Sequence, residues 1–428
     1  YSSEWPVANR AIELYLQKKS ENEGWERQIN GLSNNEKANL LLEKHTFKEL
    51  LADVEQRNLQ NNIVGLEASR LFARSEINMG VDAFRDSLYA MLKRNTFLNI
   101  KFENMLDTLG EMSRTDLYSY LKEWEQLTPL PFYSIGEPEL TKVVNKGGEE
   151  FFVLKVLVSN NSDYDGIIQM NVLQNGWWYQ PMEDPRARKK VEIAAHTSKE
   201  FVSVWEEQIR DVEINTMVSG NLPYMIRQSI GNVKQERNKI VKDTIYTLPE
   251  SSLEMPGEVI VDNEDSTLFV LSTPAVVGLL PKWLDKVEDT SFKYSGISWW
   301  RAPLQWTATT NAKYYGKYIR SAYVIKSGDG SQTATWKIPV PEAGQYELYY
   351  HVFKDDELRW NDRLQGEYHF RVAYDSEMED AYINLRKANE GWEQLGTYYF
   401  SADTVRVVLT DECKLRSVTA DAVKIVKR

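Results

Sequence analysis

Several aromatic side chains in this 428-residue chain stand where they could bind a ligand. A flat ring can stack on the apolar face of a sugar while neighbouring polar groups bind its hydroxyls. Trp360 stands between Arg359 and Asn361 in a polar stretch, which leaves burial and exposure equally open. Trp299 and Trp300 cannot both point inward on an extended chain, because successive side chains point to opposite faces. We therefore predict ligand binding at these five residues.

Two other tryptophans lie within strand patterns, and for them a place in a core is the simpler explanation. Trp336 lies in the segment 334–338, and Trp392 follows Gly391 in a run that continues to Phe400. Large rings fill β-sandwich cores as readily as they form binding surfaces. We predict that both are buried, and that replacing Trp392 with alanine costs about 3–5 kcal/mol of folding free energy.

The sequence lacks the common catalytic motifs. Zinc peptidases place two histidines on one helix face in a His-Glu-x-x-His motif. The histidines of this chain do not have that spacing: His45, His196, His351 and His369. A Gly-x-Ser-x-Gly elbow, a phosphate-binding loop and a dinucleotide fingerprint are also missing from the sequence. The sequence thus predicts no zinc site, no cofactor and no enzymatic activity for this chain.

Acidic residues raise two further questions. Ser327–Gly330 reads Ser-Gly-Asp-Gly, which favours a tight turn over a calcium loop because carboxylates at alternating positions are absent. Asp355, Asp356 and Glu357 are adjacent, and a solvated loop is favoured there over an ion site. A glycosidase requires two carboxylates placed together. No spacing among the 63 Asp and Glu residues indicates such a pair.

Charge and composition exclude several classes of protein. The net charge of −12 argues against a nucleic-acid surface, which requires a basic face. The basic cluster at 186–190 is interpreted as a solvated loop. Cys413 is the single cysteine, so an intrachain disulfide cannot form. Apolar runs of about 18 residues are absent, so the sequence predicts no membrane-spanning helix. Because the chain starts at Tyr1, we expect a fragment of a longer exported protein.

Residues 1–138 are predicted to be helical. Apolar residues recur three and four positions apart in the segments 66–74 and 81–92. A further helix is predicted over 113–124, with Ser113 as its cap. Several amphipathic helices joined by short turns predict a helical bundle or an α-solenoid.

The pattern changes to that of β-strands in residues 139–226. Short apolar and β-branched runs are separated there by Asn, Asp, Gly and Pro. The predicted strands are 151–158, 166–173, 190–195, 199–205 and 212–218. They predict a small Ig-like antiparallel β-sandwich. Residues 227–257 are charged and then rich in Pro and Ser, which predicts a connector.

Strand patterns return in residues 258–428, with a turn marked by Pro341 and Gly344. The predicted strands are 334–338, 346–352, 367–373, 396–400, 404–409 and 422–426. A short helix is expected at 276–287. The whole chain is therefore predicted to be a multidomain α + β protein, with a helical region followed by two antiparallel β-sandwiches.

The sequence blocks of residues 258–428 follow the order found in a known family. They are Val259–Asn263, Tyr314–Tyr318, Ala334–Trp336, Ala343–Tyr346, Gly391–Phe400, Val405–Leu409 and Ala420–Val423. In this order they resemble the golvesin-like module at the C-terminus of xanthan lyases and other bacterial secreted proteins. An insertion after Val270 and a replaced glutamine near Asn384 depart from the family's pattern. The resemblance implies a jelly-roll-like, carbohydrate-binding-like sandwich in the periplasm or at the cell surface.

A second resemblance covers residues 60–130. It is carried by Glu67–Glu76, Phe84–Leu92, Lys101–Leu106 and Leu117–Trp124. These segments are similar to the helical part that follows the active site in aminopeptidase N-like gluzincin peptidases. Since the zinc motif is missing, the resemblance implies a peptidase-related helical domain whose catalytic part lies upstream or has been lost.

Together these patterns predict a noncatalytic C-terminal fragment of a larger exported protein with accessory β-sandwich modules. We expect its partners to be upstream domains of the same protein and a neutral polysaccharide or cell-surface glycan, because the acidic chain repels polyanions. Two alternatives stay open. The chain could be the C-terminal part of an active zinc metallo-aminopeptidase with an upstream catalytic domain, or a structural spacer.

Overall fold

Among the residues that the structure describes, strand (41%) is more abundant than helix (23%), and the strands form several β-sheets. The computed structural model describes residues 6–17, 23–96, 98–121, 124, 126, 129–174, 184–231, 233–237, 241–251, 253, 257–272, 292–297, 301–354, 366–375 and 377–428. The chain forms two compact units. Unit 1 comprises Tyr1–Asn22 and Asn34–Leu253, and unit 2 comprises Glu23–Ser33 and Glu254–Arg428.

The helices of unit 1 gather around one long helix. They are α1 (Pro6–Leu16), α3 (Asn34–Leu42), α4 (Phe47–Ala52), α5 (Gln60–Met79), α6 (Val81–Arg94), α7 (Phe102–Ser113) and α8 (Leu117–Leu121). Helices α1, α3, α4, α6, α7 and α8 all contact α5. In a solenoid each repeat contacts only its neighbours in sequence, so the structure does not confirm the predicted α-solenoid.

The helix predicted over 113–124 begins at a different residue. Ser113 is the last residue of α7, and its hydroxyl donates to Leu109 O at 2.8 Å. Arg114 then adopts a left-handed conformation with φ of 55°, which ends that helix. The following helix is capped by Asp116, whose Oδ1 accepts from Ser119 N at 3.1 Å. The prediction of Ser113 as a cap was therefore wrong, because its hydroxyl bonds back into the preceding turn.

Unit 1 also contains two β-sheets. The strands are β1 (Tyr133–Ile135), β2 (Glu139–Val144), β3 (Glu150–Asn160), β4 (Gly166–Gln174), β5 (Arg188–Ile193), β6 (Thr197–Trp205), β7 (Ile209–Asn215), β8 (Met225–Ser229), β9 (Val233–Arg237) and β10 (Thr244–Pro249). One sheet has the order β10-β6-β3-β2-β9, with β1 paired to β3, and the other has the order β5-β4-β7-β8. Residues of both sheets, such as Val156 and Ile168, share one hydrophobic core.

Residues 227–257, predicted as a connector, contribute strands to these sheets. Strand β9 pairs in parallel with β2, and β10 pairs antiparallel with β6. All but one residue of β10 is exposed, since the strand lies at the sheet edge. An exposed edge strand does not show the alternation of apolar and polar residues that identifies a half-buried strand. The prediction missed both strands for this reason.

Unit 2 contains helix α2 (Glu23–Asn30) and three sheets. Its strands are β11 (Glu258–Val261), β12 (Phe269–Leu271), β13 (Thr307–Thr310), β14 (Ser321–Lys326), β15 (Thr333–Pro339), β16 (Gly344–Val352), β17 (Glu367–Tyr374), β18 (Glu377–Asn384), β19 (Gly391–Phe400), β20 (Thr404–Thr410), β21 (Ser417–Ala420) and β22 (Val423–Lys427). The sheet orders are β11-β22-β16-β19, β12-β15-β20-β17-β18 and β13-β14-β21. All three contribute to one core, which includes the fully buried Trp336.

Helix α2 joins unit 2 through a close contact between backbones. A Cβ on Gly31 would lie 2.2 Å from Ser295 C, and one on Gly296 would lie 2.1 Å from Ile29 O. Gly31 also has a φ of 80°, which favours glycine. Thr310 Oγ1 donates to Gly31 O at 3.1 Å. These glycines explain how a segment so distant in sequence becomes part of unit 2.

Candidate functional site

The residues predicted to bind a ligand lie outside the part of the chain that the structure describes. They are Trp299, Trp300, Arg359, Trp360 and Asn361. The acidic cluster at 355–357 and the expected helix at 276–287 also lie outside it. These expectations therefore stay predictions, and the described residues indicate a different surface in unit 2.

This surface is the outer face of the sheet β11-β22-β16-β19. On β16, burial alternates along the strand, as expected when one side of a sheet covers a core. The core-facing residues are Tyr346, Leu348, Tyr350 and Val352. Glu347, Tyr349 and His351 therefore point to the opposite side, which we call the outer face. It also carries Trp392, which is paired with His351, and Gln394, which is paired with Tyr349.

Trp392 is half-buried on this face and does not belong to the hydrophobic core. Its ring lies 5.1 Å from that of His351, edge to face, and 5.0 Å from that of Tyr315. Lys424 Nζ lies 4.9 Å from the ring centroid, within the range of a cation–π interaction. The prediction of a core position was wrong for Trp392, because its register with His351 turns it outward. The same prediction is confirmed for Trp336, whose side chain is fully buried.

Charges on the outer face are paired. Lys424 Nζ donates to Glu258 Oε1 at 2.8 Å, and both side chains are about one-tenth exposed. Glu347 accepts from the Tyr349 hydroxyl at 2.6 Å and from Arg428 Nε at 2.9 Å. These two bonds, led by that from Tyr349, lower the pKa of Glu347 below its usual value. The face therefore presents aromatic rings between neutralised charges.

A buried carboxylate positions His351 and Tyr315. Asp421 is fully buried, and its Oδ2 lies 2.9 Å from His351 Nδ1. Both of its oxygens lie 3.1 Å from Tyr315 N, which donates to them. Burial raises the pKa of Asp421, although His351 acts in the opposite direction. Asp421 thus fixes the imidazole and tethers the Tyr315 backbone beside Trp392.

The outer face continues along β19 beyond a bulge. The register shifts between Leu348 and Tyr349, after which Thr397 pairs with Glu347 and Tyr399 with Gln345. Alternation then places Tyr399 on the same side as Trp392. Tyr399 is 65% exposed, which makes it the most accessible ring of this face. Trp392, Tyr349 and Tyr399 form a row that we call the aromatic row.

Two other histidine clusters lie elsewhere. His369 Nε2 lies 2.9 Å from Asp380 Oδ1, and its ring stacks on Tyr382. His196 lies 2.8 Å from both Asp163 and Glu250. Within the described residues, no group of three or more His, Cys, Asp or Glu side chains is arranged to hold a metal ion.

The structure also tests two further predictions from the sequence. Asp411 Oδ1 accepts from Gly330 N at 2.8 Å and from Gln332 N at 3.2 Å, which fits the expected tight turn at Ser327–Gly330. Lys190, from the basic cluster interpreted as a solvated loop, instead forms a buried ion pair with Glu76. That interpretation was wrong for Lys190, because β5 packs against α5 at this point.

Comparison with known families identifies part of unit 2. Residues 300–427 match the Golvesin C-terminal domain. The matched range includes Tyr315, His351, Trp392, Tyr399 and the other outer-face residues up to Lys427. Glu258 and β12 lie before it. The golvesin-type resemblance expected for residues 258–428 is thus confirmed over its larger part.

The chain is also similar to several solved structures. Paenibacillus xanthan lyase matches with 16% identity over 70% of this chain and 27% of that chain, at a TM-score of 0.28. The module CBM35 from Cellvibrio japonicus Abf62 matches with 13% identity over 26% of this chain and 75% of that chain, at a TM-score of 0.19. A Bacteroides uniformis β-glucuronidase matches with 11% identity over 73% of this chain and 31% of that chain, at a TM-score of 0.20. These TM-scores do not establish a shared fold.

The comparisons leave other expectations without support. No curated protein matches the chain. The aminopeptidase resemblance of residues 60–130 has no support from the matches. The helices that the structure describes include none long and apolar enough to cross a membrane.

Proposed function

We propose that the golvesin-type domain is a noncatalytic accessory module that binds neutral glycans through the outer face of unit 2. The observation that carries this proposal is the half-buried Trp392, which lies on the outer face of the sheet among Tyr315, His351 and Lys424. A sheet face is flat, and rings on it can stack on successive sugar residues of an extended chain. The exposed Tyr399 extends the aromatic row along the same strand.

The charges favour a neutral ligand. Lys424 is neutralised by Glu258, and Arg428 by Glu347, so neither cation is placed as a dedicated partner for an acidic sugar. The whole chain carries a net charge of −12, which repels polyanions at low ionic strength. Gln394 is exposed beside Trp392 and Tyr349, where its amide can bind a sugar hydroxyl.

Titration of neutral polysaccharides with tryptophan fluorescence as the signal tests this proposal. We expect dissociation constants on the order of 0.1–1 mM for wild type, since stacking on exposed rings is weak. Trp392→Ala should weaken binding about tenfold or more, while Trp392→Phe should retain part of it. Trp360→Ala tests the site predicted from the sequence. If wild type binds no member of a broad panel, the spacer function replaces this one.

The expected absence of catalysis belongs to the same proposal. Incubation of the chain with zinc and aminoacyl chromogenic substrates should give background rates, because its histidines lack the spacing of a zinc peptidase. Stoichiometric zinc binding together with turnover that a chelator abolishes would instead favour an active metallo-aminopeptidase.

The finer architecture is part of the proposal too. We infer a helical peptidase-related domain, an Ig-like sandwich and a jelly-roll-like sandwich in a larger extracytoplasmic protein. The shared cores of the sheets support the two sandwiches. Fractionation of cells that express the full-length parent protein tests the location.

A further inference from the structure

Unit 1 contains a cavity of about 240 Å³ that is separate from the outer face of unit 2. Helices α1, α3 and α5 and the segment that joins β7 to β8 line it. Its polar lining includes Tyr15, Asn35, Asn61, Asn62, Asn215 and Tyr224, together with Gln17 and Ser69. Leu66 and Val218 form a buried apolar part, whereas Asn61 is exposed at the rim. The cavity therefore combines an apolar floor with several amide and hydroxyl groups.

Hydrogen bonds hold the amides in fixed orientations. Asn62 Nδ2 donates to Asn35 Oδ1 at 2.8 Å, and Asn35 Nδ2 donates to the Tyr224 hydroxyl at 3.2 Å. Asn61 Oδ1 accepts from Arg10 Nε at 3.0 Å. A carboxamide offers two N–H donors and an oxygen with two lone pairs. These bonds hold the side-chain amides in place against one another, against Tyr224 and against Arg10.

The wall beside β7 adds a strained backbone. Met217 has a φ of 56°, although it is not glycine. Asn215 Oδ1 holds this conformation by accepting from Met217 N at 2.7 Å. Residues held in the left-handed region occur preferentially at ligand sites, where the surrounding structure maintains the strain. Both residues line the cavity.

The lining determines which kind of ligand fits. The lining residues that the structure describes are all uncharged, which favours an uncharged ligand over a charged one. Amides that donate and accept match the paired hydroxyls of a sugar, and tyrosine rings and aliphatic groups match its apolar faces. Ligand pockets commonly measure about 300–1,000 Å³, so a cavity of this size suits a single small ring.

We propose that this cavity binds one uncharged sugar residue, either a free monosaccharide or the end of a neutral oligosaccharide. The proposal is independent of glycan binding by unit 2, because it depends on a different set of residues. The competing ligand class is an uncharged peptide, which also pairs with amides. A peptide terminus carries a charge that the lining does not match.

Gly65 offers a way to fill the cavity with little disturbance of the fold. It lines the cavity from the second turn of α5, and a Cβ there would meet only Leu14 Cβ, at 4.0 Å. Gly65→Ala therefore serves as the folding control, since alanine favours a helix more than glycine does. Gly65→Leu adds a larger side chain that we expect to occupy the space.

The experiment is isothermal titration of the full chain with glucose, galactose, mannose, N-acetylglucosamine and a capped uncharged dipeptide. We expect at least one sugar to bind wild type, with affinity within about threefold in Gly65→Ala and lowered about tenfold or more in Gly65→Leu. Asn62→Ala should also lower the affinity and serves as the second variant if Gly65→Leu does not fold. All variants are also measured in a Trp392→Ala background, so that any sugar binding by the outer face of unit 2 does not contribute to the signal.

Three results would overturn the proposal. The first is that none of the sugars binds wild type. The second is that the capped dipeptide binds and the sugars do not. The third is that folded Gly65→Leu and Asn62→Ala both bind the sugar as tightly as wild type.

Discussion

In unit 1 the tyrosines beside the cavity have hydroxyls that are hydrogen-bonded to side chains of the fold, whereas on the outer face of unit 2 the ring of Trp392 lies against other rings and a lysine. The Tyr15 hydroxyl donates to Glu76 Oε1 at 2.6 Å, and that of Tyr224 accepts from Asn35. Ring contacts occur in both units, since Tyr15 lies 4.8 Å from Phe72 and Trp392 lies 5.0 Å from Tyr315. Aromatic content alone therefore does not identify a binding surface. The burial of each ring and the partner of its polar atom determine what the ring can do.

The largest expected effect on stability is that of replacing Trp336, and Trp392 of the same unit provides the comparison. Trp336 is fully buried in the core, and its Nε1 donates to Asp421 O at 3.2 Å. Trp336→Ala should lower the free energy of unfolding by about 3–5 kcal/mol, the range for large aromatic residues in cores. Trp392→Ala should cost about half as much, because its ring is only half-buried. Urea denaturation followed by circular dichroism measures both.

Equal losses for the two variants would contradict this comparison. They would mean that Trp392 stabilises the fold as strongly as a core residue. A loss of glycan binding in Trp392→Ala would then report unfolding instead of a lost contact.

The sequence predicts elements that bury a regular apolar face. The segments 81–92 and 151–158 correspond to α6 and β3, because their spacing depends only on local geometry. The sequence does not predict the outer face, because this face depends on the register of β16 with β19 and on the bulge between them. It does not predict the cavity either, since α1, α3, α5 and β7 meet only in the folded unit. Non-local pairing leaves no periodic signal within a single segment.

A second prediction concerns the buried ion pair near the cavity. Lys190 pairs with Glu76, and the side chains are 8% and 2% exposed. Lys190→Met should lower the free energy of unfolding by about 3 kcal/mol, because Glu76 would keep a buried charge without its cation. The loss should fall at the low end of the usual range, since Tyr15 still donates to Glu76.

Lys234 provides the matched control for this variant. It pairs with Glu139 on the surface, where the side chains are 63% and 57% exposed. Lys234→Met should cost less than about 1 kcal/mol, as is usual for exposed pairs. Similar losses from both lysines in urea denaturation would show that burial of the Lys190 pair has no special role.

A third prediction concerns pH and the half-buried Asp262 of unit 2. Burial, and then the nearby Asp421, raises the pKa of Asp262 well above its usual value. The folded state therefore holds this proton more tightly than the unfolded state does. The resulting stability is fully present below the unfolded pKa of about 3.9 and is lost as the pH rises through the folded pKa. Asp262→Asn should thus melt at a higher temperature than wild type at neutral pH.

The difference between Asp262→Asn and wild type should shrink as the pH falls toward the unfolded pKa. Asp329 is the control, because its pKa shift has the opposite sign: hydrogen bonds from Ser331 lower its pKa. Its contribution to stability is present above the unfolded pKa and is lost as the pH falls through the folded pKa. Differential scanning calorimetry across this pH range measures Asp262→Asn and Asp329→Asn. A constant difference for Asp262→Asn would show that ionisation of this group does not matter.

The smallest effect on stability, and the sharpest test of the aromatic row, comes from Tyr399. This ring is 65% exposed, so Tyr399→Ala should change the free energy of unfolding by less than about 0.5 kcal/mol. If a glycan lies along the row, the variant should still lose affinity severalfold in the fluorescence titration. Tyr382, which is 56% exposed on the sheet of β17 and β18, is the matched control. Tyr382→Ala should bind as wild type does, and equal losses in both variants would assign the binding to exposed aromatic residues in general instead of to this face.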